Sequence, residues 1–221
     1  MANFGNNTVS EFNSSGTLVT GSFASGLSSP EGLAFDRSGN LYVANYGNNT
    51  VSEFNSSGTL VTGSFASGLL GPHGLAFDGS GNLYVANNSG IWEFGPSGTV
   101  IKSPPPVISG LSATVGLAFD SSGNLYATMP LISAVVEYDS SGNLINVSPI
   151  GSVNNPSFVA ISPEIVPEPS TWGLAGMGLA TLLALRRRTW RIVGSGCQRK
   201  TKRRLFVQTN NKRTDPFPEA K

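Results

Sequence analysis

Displaced by 42 residues, this chain lays onto itself: Asn7 falls on Asn49, Glu11 on Glu53, Gly16 on Gly58, Pro30 on Pro72, Asp36 on Asp78 and Tyr42 on Tyr84. The same step carries Leu75 to Leu117, Asp78 to Asp120, Gly81 to Gly123 and Tyr84 to Tyr126, and two steps carry Glu53 to Glu137 and Pro72 to Pro156. A period sustained to about Ser162 means that one supersecondary unit is copied along the chain, each copy burying its faces against the next. Every local reading has to fit that repeat.

Within one unit the apolar residues fall in short β-prone runs: Leu33 and Phe35, Leu41 to Val43, Val51 to Phe54, Leu60 and Val61. These are strand lengths, not helix lengths. Between them lie Asp36-Arg37-Ser38-Gly39-Asn40 and Asn55-Ser56-Ser57-Gly58-Thr59. Each supplies an Asp or Asn to bond its own backbone and a Gly for positive φ, as a short hairpin loop requires. Four strands in 42 residues joined by tight hairpins describe a β-propeller blade, so the expected fold is all-β, with about four four-stranded blades in an open or imperfectly closed array. Strands are expected near Thr8 to Phe12 and Thr17 to Phe23, in complete blades spanning 32–65, 74–107 and 116–147, and in a lone strand at Ser157 to Ile161. That last strand is expected to join the first two in a composite blade, with Ile165 and Val166 as the only source of a fourth strand. Residues 1–12 align with the middle of a unit and carry neither the basic nor the apolar segment of a secretory leader, so a missing N-terminal portion of a larger propeller is expected.

Charge divides the chain. Residues 1–165 carry two basic and ten acidic side chains, a net of −8, whereas residues 186–221 carry twelve basic and two acidic ones, a net of +10. The single cysteine, Cys197, lies in the basic part, so no internal disulfide or cysteine-based zinc site exists. The expected organisation is repeats over 1–162, a linker over 163–171, a short hydrophobic helix and arginine cluster over 172–188, and a disordered basic tail over 189–221. In the third copy, Pro104-Pro105-Pro106 cannot donate to a ladder and is expected at an outer edge or in a loop.

The string P-x-G-L-A-F-D-x-S-G-N-L-Y-V-A-N, followed by N-N-T-V-x-E-F and S-G, resembles the NHL-type propeller repeat. Such propellers carry many unrelated functions, so the resemblance implies a fold rather than an activity. Pro30-Glu31-Gly32 resembles the metal-binding Glu-Gly segment of gluconolactonase- and regucalcin-type propellers, and Pro72-His73-Gly74 resembles streptogramin lyase repeats. Beyond the repeats, Val166, Pro167, Glu168 and Pro169 precede the apolar run 172–185 and then Arg186, Arg187 and Arg188. This order resembles a bacterial PEP-CTERM sorting signal. The resemblance implies an exosortase-type membrane processing enzyme as partner, membrane contact through 172–185, repeats outside the cell and the tail on the cytoplasmic side before processing. Fourteen residues of helix reach about 21 Å, short of a bilayer core of about 30 Å, so flanking residues or local thinning must help. The arginines fix the orientation by the positive-inside rule. The tail after them is unusual for that family; it suits an anionic leaflet or nucleic acid by charge alone, and a chance extension without a role is the preferred reading, with no nucleic-acid partner expected.

Glu11, Glu53, Glu93 and Glu137 recur in one strand of every copy, and Asp36, Asp78 and Asp120 recur at the first hairpin. Residues repeated in every blade are structural; an active site would break the symmetry. The Asp side chains are expected to cap their turns rather than bind calcium, and the Glu side chains to pair with polar neighbours between blades. Glu31 and His73 share one repeat position, which Val115 occupies in the next copy, and this variability fits a loop better than a catalytic pair. No catalytic residue, metal or cofactor is expected. The candidate contacts for a glycan or protein ligand are Tyr46, Asn48, Asn88 and Trp92. The expected function is an exported, surface-associated, non-enzymatic binding or scaffold protein. The alternatives are a metal-dependent lactonase-like or lyase-like enzyme, or a truncated gene product without independent function.

Overall fold

A computed structural model of the chain describes residues 1–101, 107–108, 111, 113–148, 153–161 and 205–209. Four antiparallel blade sheets follow one another along the repeats. The first holds β1 (Ala2–Asn3), β2 (Thr8–Phe12) and β3 (Leu18–Ala24); the second holds β4 (Pro30–Phe35), β5 (Leu41–Asn45), β6 (Thr50–Phe54) and β7 (Leu60–Ala66). The third contains β8 (Leu75–Phe77), β9 (Leu83–Asn87) and β10 (Gly90–Phe94), and the fourth β11 (Leu117–Phe119), β12 (Leu125–Met129), β13 (Ala134–Tyr138) and β14 (Leu144–Val147). Within each sheet the strands pair in chain order, as a meander of hairpins dictates. Blade three is three-stranded rather than the expected four, and blade one, where two strands are expected, holds β1 as a third. In blade three the outer edge is reduced to isolated bridges, Phe94 with Val100 and Ile91 with Ile108. The proline run expected at that edge lies outside the described residues.

The turn chemistry explains the register. One carboxylate oxygen of Asp36 accepts the Ser38 and Asn40 amides, both at 2.8 Å, and the other accepts the Asn40 side-chain amide at 2.9 Å. Gly39 supplies the left-handed residue that closes this loop (φ +82°). Asp78 and Asp120 repeat the arrangement, so the expected turn caps are present. Asn13 and Asn55 perform the same task at the second hairpin of their blades.

The core lies in the seams between blades. Val9, Ala24 and Leu27 of blade one meet Leu41, Val43 and Phe54 of blade two. Tyr42, Val51, Ala66 and Leu69 of blade two meet Leu75, Leu83, Val85 and Phe94 of blade three. Each blade thus offers one apolar face forwards and another backwards, which is how a repeat array obtains a core without any unit having one of its own. The innermost strands approach closely. A Cβ on Gly32 would stand 1.9 Å from the His73 carbonyl oxygen, and one on Gly74 would stand 2.2 Å from that of Val115. One on Gly116 would stand 2.8 Å from the Phe158 Cα. Only glycine allows that approach. The next position in the series is Phe158, which is 43% exposed.

Two expectations change at the C-terminal end. β15 (Pro156–Ile161) packs Val159 against Tyr126 and Val135 of blade four, but it is not hydrogen-bonded to the first sheet as a composite blade would require. Its partner is β16 (Leu205–Thr209), antiparallel, with Val159 opposite Val207 and Ile161 opposite Leu205. That segment falls within the stretch expected to be disordered. Leu205-Phe206-Val207 is a β-prone run among the cations, and β15 offers an edge that no other strand among the described residues pairs. The expected helix over 172–188, its linker over 163–171 and residues 165 and 166 lie outside the described residues.

Candidate functional site

One end of the blades gathers the β5–β6 type loops and the starts of the inner strands. Tyr46 sits there, exposed, with its ring centroid 5.1 Å from that of His73. His73 Nδ1 and Glu31 Oε2 are paired at 2.5 Å, and both side chains are largely covered. Gly71 lies against this group: a Cβ there would come 2.5 Å from Asn88 Nδ2 and 3.0 Å from Tyr46 Cε2. An aromatic ring, an imidazole, a carboxylate and a carboxamide therefore converge where blade two meets blade three. The arrangement can stack on an apolar face and exchange several hydrogen bonds, as a polar ligand requires.

The candidate contact residues divide accordingly. Tyr46 and Asn88 belong to this cluster, while Asn48, also exposed, accepts the Thr50 hydroxyl at 2.8 Å. Trp92 is elsewhere. It lies on β10 opposite Val85, half-buried, with its ring against Phe94 (centroids 6.1 Å apart) and its indole N–H donating to Ser89 at 3.2 Å. Sequence reasoning treated Glu31 and His73 as a variable position and missed that they touch. The signal was available: equivalent positions on adjacent inner strands are neighbours, so residues 42 apart there can pair. Asn49 was also missed; it adopts a left-handed conformation (φ +61°), and its side-chain oxygen accepts the Gly71 amide of the next blade at 2.8 Å.

At the opposite end, a cavity of about 560 Å³ opens between the first hairpins of blades two and three, lined by Asp36, Arg37, Tyr42, Glu53, Phe65 and Phe77 among others. Arg37 bridges the two hairpins by donating to the Gly79 carbonyl at 2.6 Å. Here the recurring glutamates find their partners. Tyr42 lies opposite Glu53 in the strand register, Tyr84 opposite Glu93 and Tyr126 opposite Glu137. The Tyr126 hydroxyl donates to Glu137 at 2.6 Å. Burial, and then the bond to and charge of Glu53, push the Tyr42 hydroxyl far above its ordinary pKa; burial and Glu93 do the same to Tyr84. The glutamates thus pair within their own blade rather than between blades, because a cross-strand neighbour on the same face is nearer than any side chain beyond the seam. Among the described residues no three His, Cys, Asp or Glu side chains come together as a metal would require. Val166, Pro167, Glu168, Pro169 and Arg186 to Arg188 lie outside the described residues.

Comparison with known proteins agrees on both parts of the chain. Residues 27–54 match the NHL repeat, and residues 166–188 match the PEP-CTERM protein-sorting motif. No curated protein sequence matches the chain. Among solved structures, the chain is similar to a streptogramin B lyase (TM-score 0.54, 16% identity, 71% of this chain and 53% of that one). It is also similar to virginiamycin B lyase from Staphylococcus aureus (TM-score 0.50, 16% identity, the same coverage) and to a gluconolactonase from Xanthomonas campestris (TM-score 0.51, 21% identity, 70% and 59%). The chain spans about half the length of these lyases, and at such identities the likeness is one of fold. The chain therefore carries an NHL repeat within a propeller-type array of β blades, followed by a PEP-CTERM protein-sorting motif.

Proposed function

We propose that this chain is an exported, surface-associated propeller protein that binds or scaffolds rather than catalyses, and that an exosortase-type enzyme processes it through residues 166–188. The observation that carries the reading is the co-occurrence, in one chain, of a sorting motif and a repeat domain whose recurring carboxylates are engaged in turns and cross-strand bonds. The ligand surface is the rim around Tyr46 and Asn88, with Asn48 beside it, and its ligand is a glycan or a protein. The test is to express the chain behind a secretion leader in an exopolysaccharide-producing bacterium that has an exosortase. The native chain reaches the cell surface, whereas a variant with Arg186, Arg187 and Arg188 all changed to Ala is mis-sorted. Identical distribution of the two would overturn the sorting role. Binding on a glycan array should disappear when Tyr46, Asn48 and Asn88 are replaced together.

A second reading, a lyase-like or lactonase-like enzyme, is favoured by the His73–Glu31 pair, since a carboxylate holding an imidazole is how a general base is oriented. Titration calorimetry with calcium, magnesium and zinc, and turnover of lactone and streptogramin substrates that H73A abolishes, would support it. Neither metal uptake nor turnover leaves the binding role.

A further inference from the structure

β15 and β16 reproduce the pairing of a blade's first two strands. In blade two, Phe35 lies opposite Leu41, Ala34 opposite Tyr42, Leu33 opposite Val43 and Pro30 opposite Asn45. Three repeat steps carry Pro30, Leu33, Ala34 and Phe35 to Pro156, Val159, Ala160 and Ile161. These face Thr209, Val207, Phe206 and Leu205 in the same order, and in both pairs the ladder is irregular just after the proline. Leu205-Phe206-Val207-Gln208-Thr209 therefore stands where the repeats have Leu-Tyr-Val-Ala-Asn, the sequence of both β5 and β9. A segment outside the repeats serves as the second strand of a further blade.

What joins the two strands differs. β4 and β5 are joined by Asp36 to Asn40, whereas β15 and β16 are separated by residues 162–204, which contain the sorting motif at 166–188. The pairing holds Ile161 and Leu205 one strand spacing apart, about 5 Å. A single crossing of the bilayer by 172–185 would hold them apart by its hydrocarbon core, about 30 Å. The chain cannot return between them: from Arg186 to Arg204 it carries nine basic side chains and no acidic one, and such a segment does not re-enter hydrocarbon. The pairing and the crossing therefore exclude one another.

We propose that β15 is a strand-accepting edge whose occupant is this chain's own residues 205–209, and that membrane insertion of 172–185 evicts them. The proposal rests on the sorting role given above. In a chain that has not been sorted, main-chain bonds from Pro156 to Ile161 close the edge, and Val159 stays packed on Tyr126 and Val135 of blade four. In a chain held in the membrane, residues 156–161 lie outside the cell and 205–209 inside. Sorting thus uncovers the edge, outside the cell, as a surface that a Leu-Tyr-Val strand fits.

The test reads the pairing by cross-linking in the full chain, with Cys197→Ser as background. Ala160→Cys with Phe206→Cys places two thiols on directly opposed residues, and because Ala160 is exposed the variant keeps the circular dichroism of the parent. In the purified chain, without membrane, this pair should oxidise to an internal disulfide at least tenfold faster than Ala160→Cys with Thr209→Cys, which is out of register. The first pair is then expressed behind a secretion leader in a host whose exosortase is disabled, and intact cells are treated with diamide. Membrane-held chain should link at least tenfold less than the purified chain. Leu182→Arg with Leu183→Arg removes the crossing, and the link should return. Equal rates for the two pairs in the purified chain, or undiminished linking in the membrane fraction, would overturn the proposal alone. A membrane fraction empty of the native chain would overturn the sorting role and the proposal with it.

Discussion

Residues 2–28 and 44–70 are one sequence written twice, differing only at Phe4 against Tyr46 and Ser28 against Leu70. They fold alike: β2 meets β3 in the register in which β6 meets β7, with the same two irregularities, and Ser10 and Ser52 donate alike to Gly21 and Gly63 at 3.2 Å. Yet Phe12 is 44% exposed and Phe54 is 1% exposed. The ring at position 54 enters the seam with Val9, Ala24 and Leu27 of the preceding blade, and no described blade precedes the one bearing Phe12. Strand, turn and register are therefore properties of the unit, whereas its core is a property of its neighbour.

The largest effect that can break this comparison is at those two rings. Phe54→Ala should destabilise the chain by about 3–5 kcal/mol, and Phe12→Ala by no more than about 0.5 kcal/mol, read from urea denaturation midpoints. Equal losses would mean that blade one has a neighbour in solution. The second hairpins offer the next pair. Gly16 and Gly58 both have positive φ, but a Cβ on Gly58 would stand 2.1 Å from the Phe23 carbonyl oxygen, whereas one on Gly16 meets nothing within 4 Å. Gly16→Ala should cost about 1 kcal/mol for its backbone alone, and Gly58→Ala about 2–3 kcal/mol because packed backbone must also move, measured by thermal unfolding.

Smaller differences follow at the glutamates and the tyrosine. Glu53→Ala strands the Tyr42 hydroxyl and should cost about 1–2 kcal/mol, while Glu11→Ala should stay within about 0.5 kcal/mol in the same assay. Because burial and Glu53 hold Tyr42 neutral in the folded chain, the unfolded chain loses that proton first. Stability should thus be level up to about pH 10, the ordinary tyrosine value, and fall as pH rises above it. Tyr42→Phe should shallow that fall, as followed by denaturation between pH 8 and 11.

The repeat made most of the strand pattern readable. Thr8 to Phe12 was assignable because a short β-prone run ends at the Asn13 to Gly16 turn, Ser157 to Ile161 because the repeat places a strand after Pro156, and the Asp36, Asp78 and Asp120 caps followed from the chemistry of their turns. What escaped a local reading depends on contacts between units. The His73–Glu31 pair crosses a seam, the displacement of Trp92 from a loop to a half-buried strand follows from the shortened turn at Asn88 to Gly90, and β15 pairs with a strand from a segment whose charge pointed to disorder. The candidate rim was legible as a set of exposed loop residues, but not as the cluster around Gly71.

The inner-strand glycines also give the array a direction of growth. A duplicated unit inserted ahead of β15 would find Gly32, Gly74 or Gly116 ready to receive its inner strand at backbone contact. One appended after β15 would meet the phenyl ring of Phe158 where those glycines leave room. Lengthening by duplication is therefore sterically free within the repeats and blocked at their C-terminal edge, until a single substitution to glycine at position 158 removes the stop.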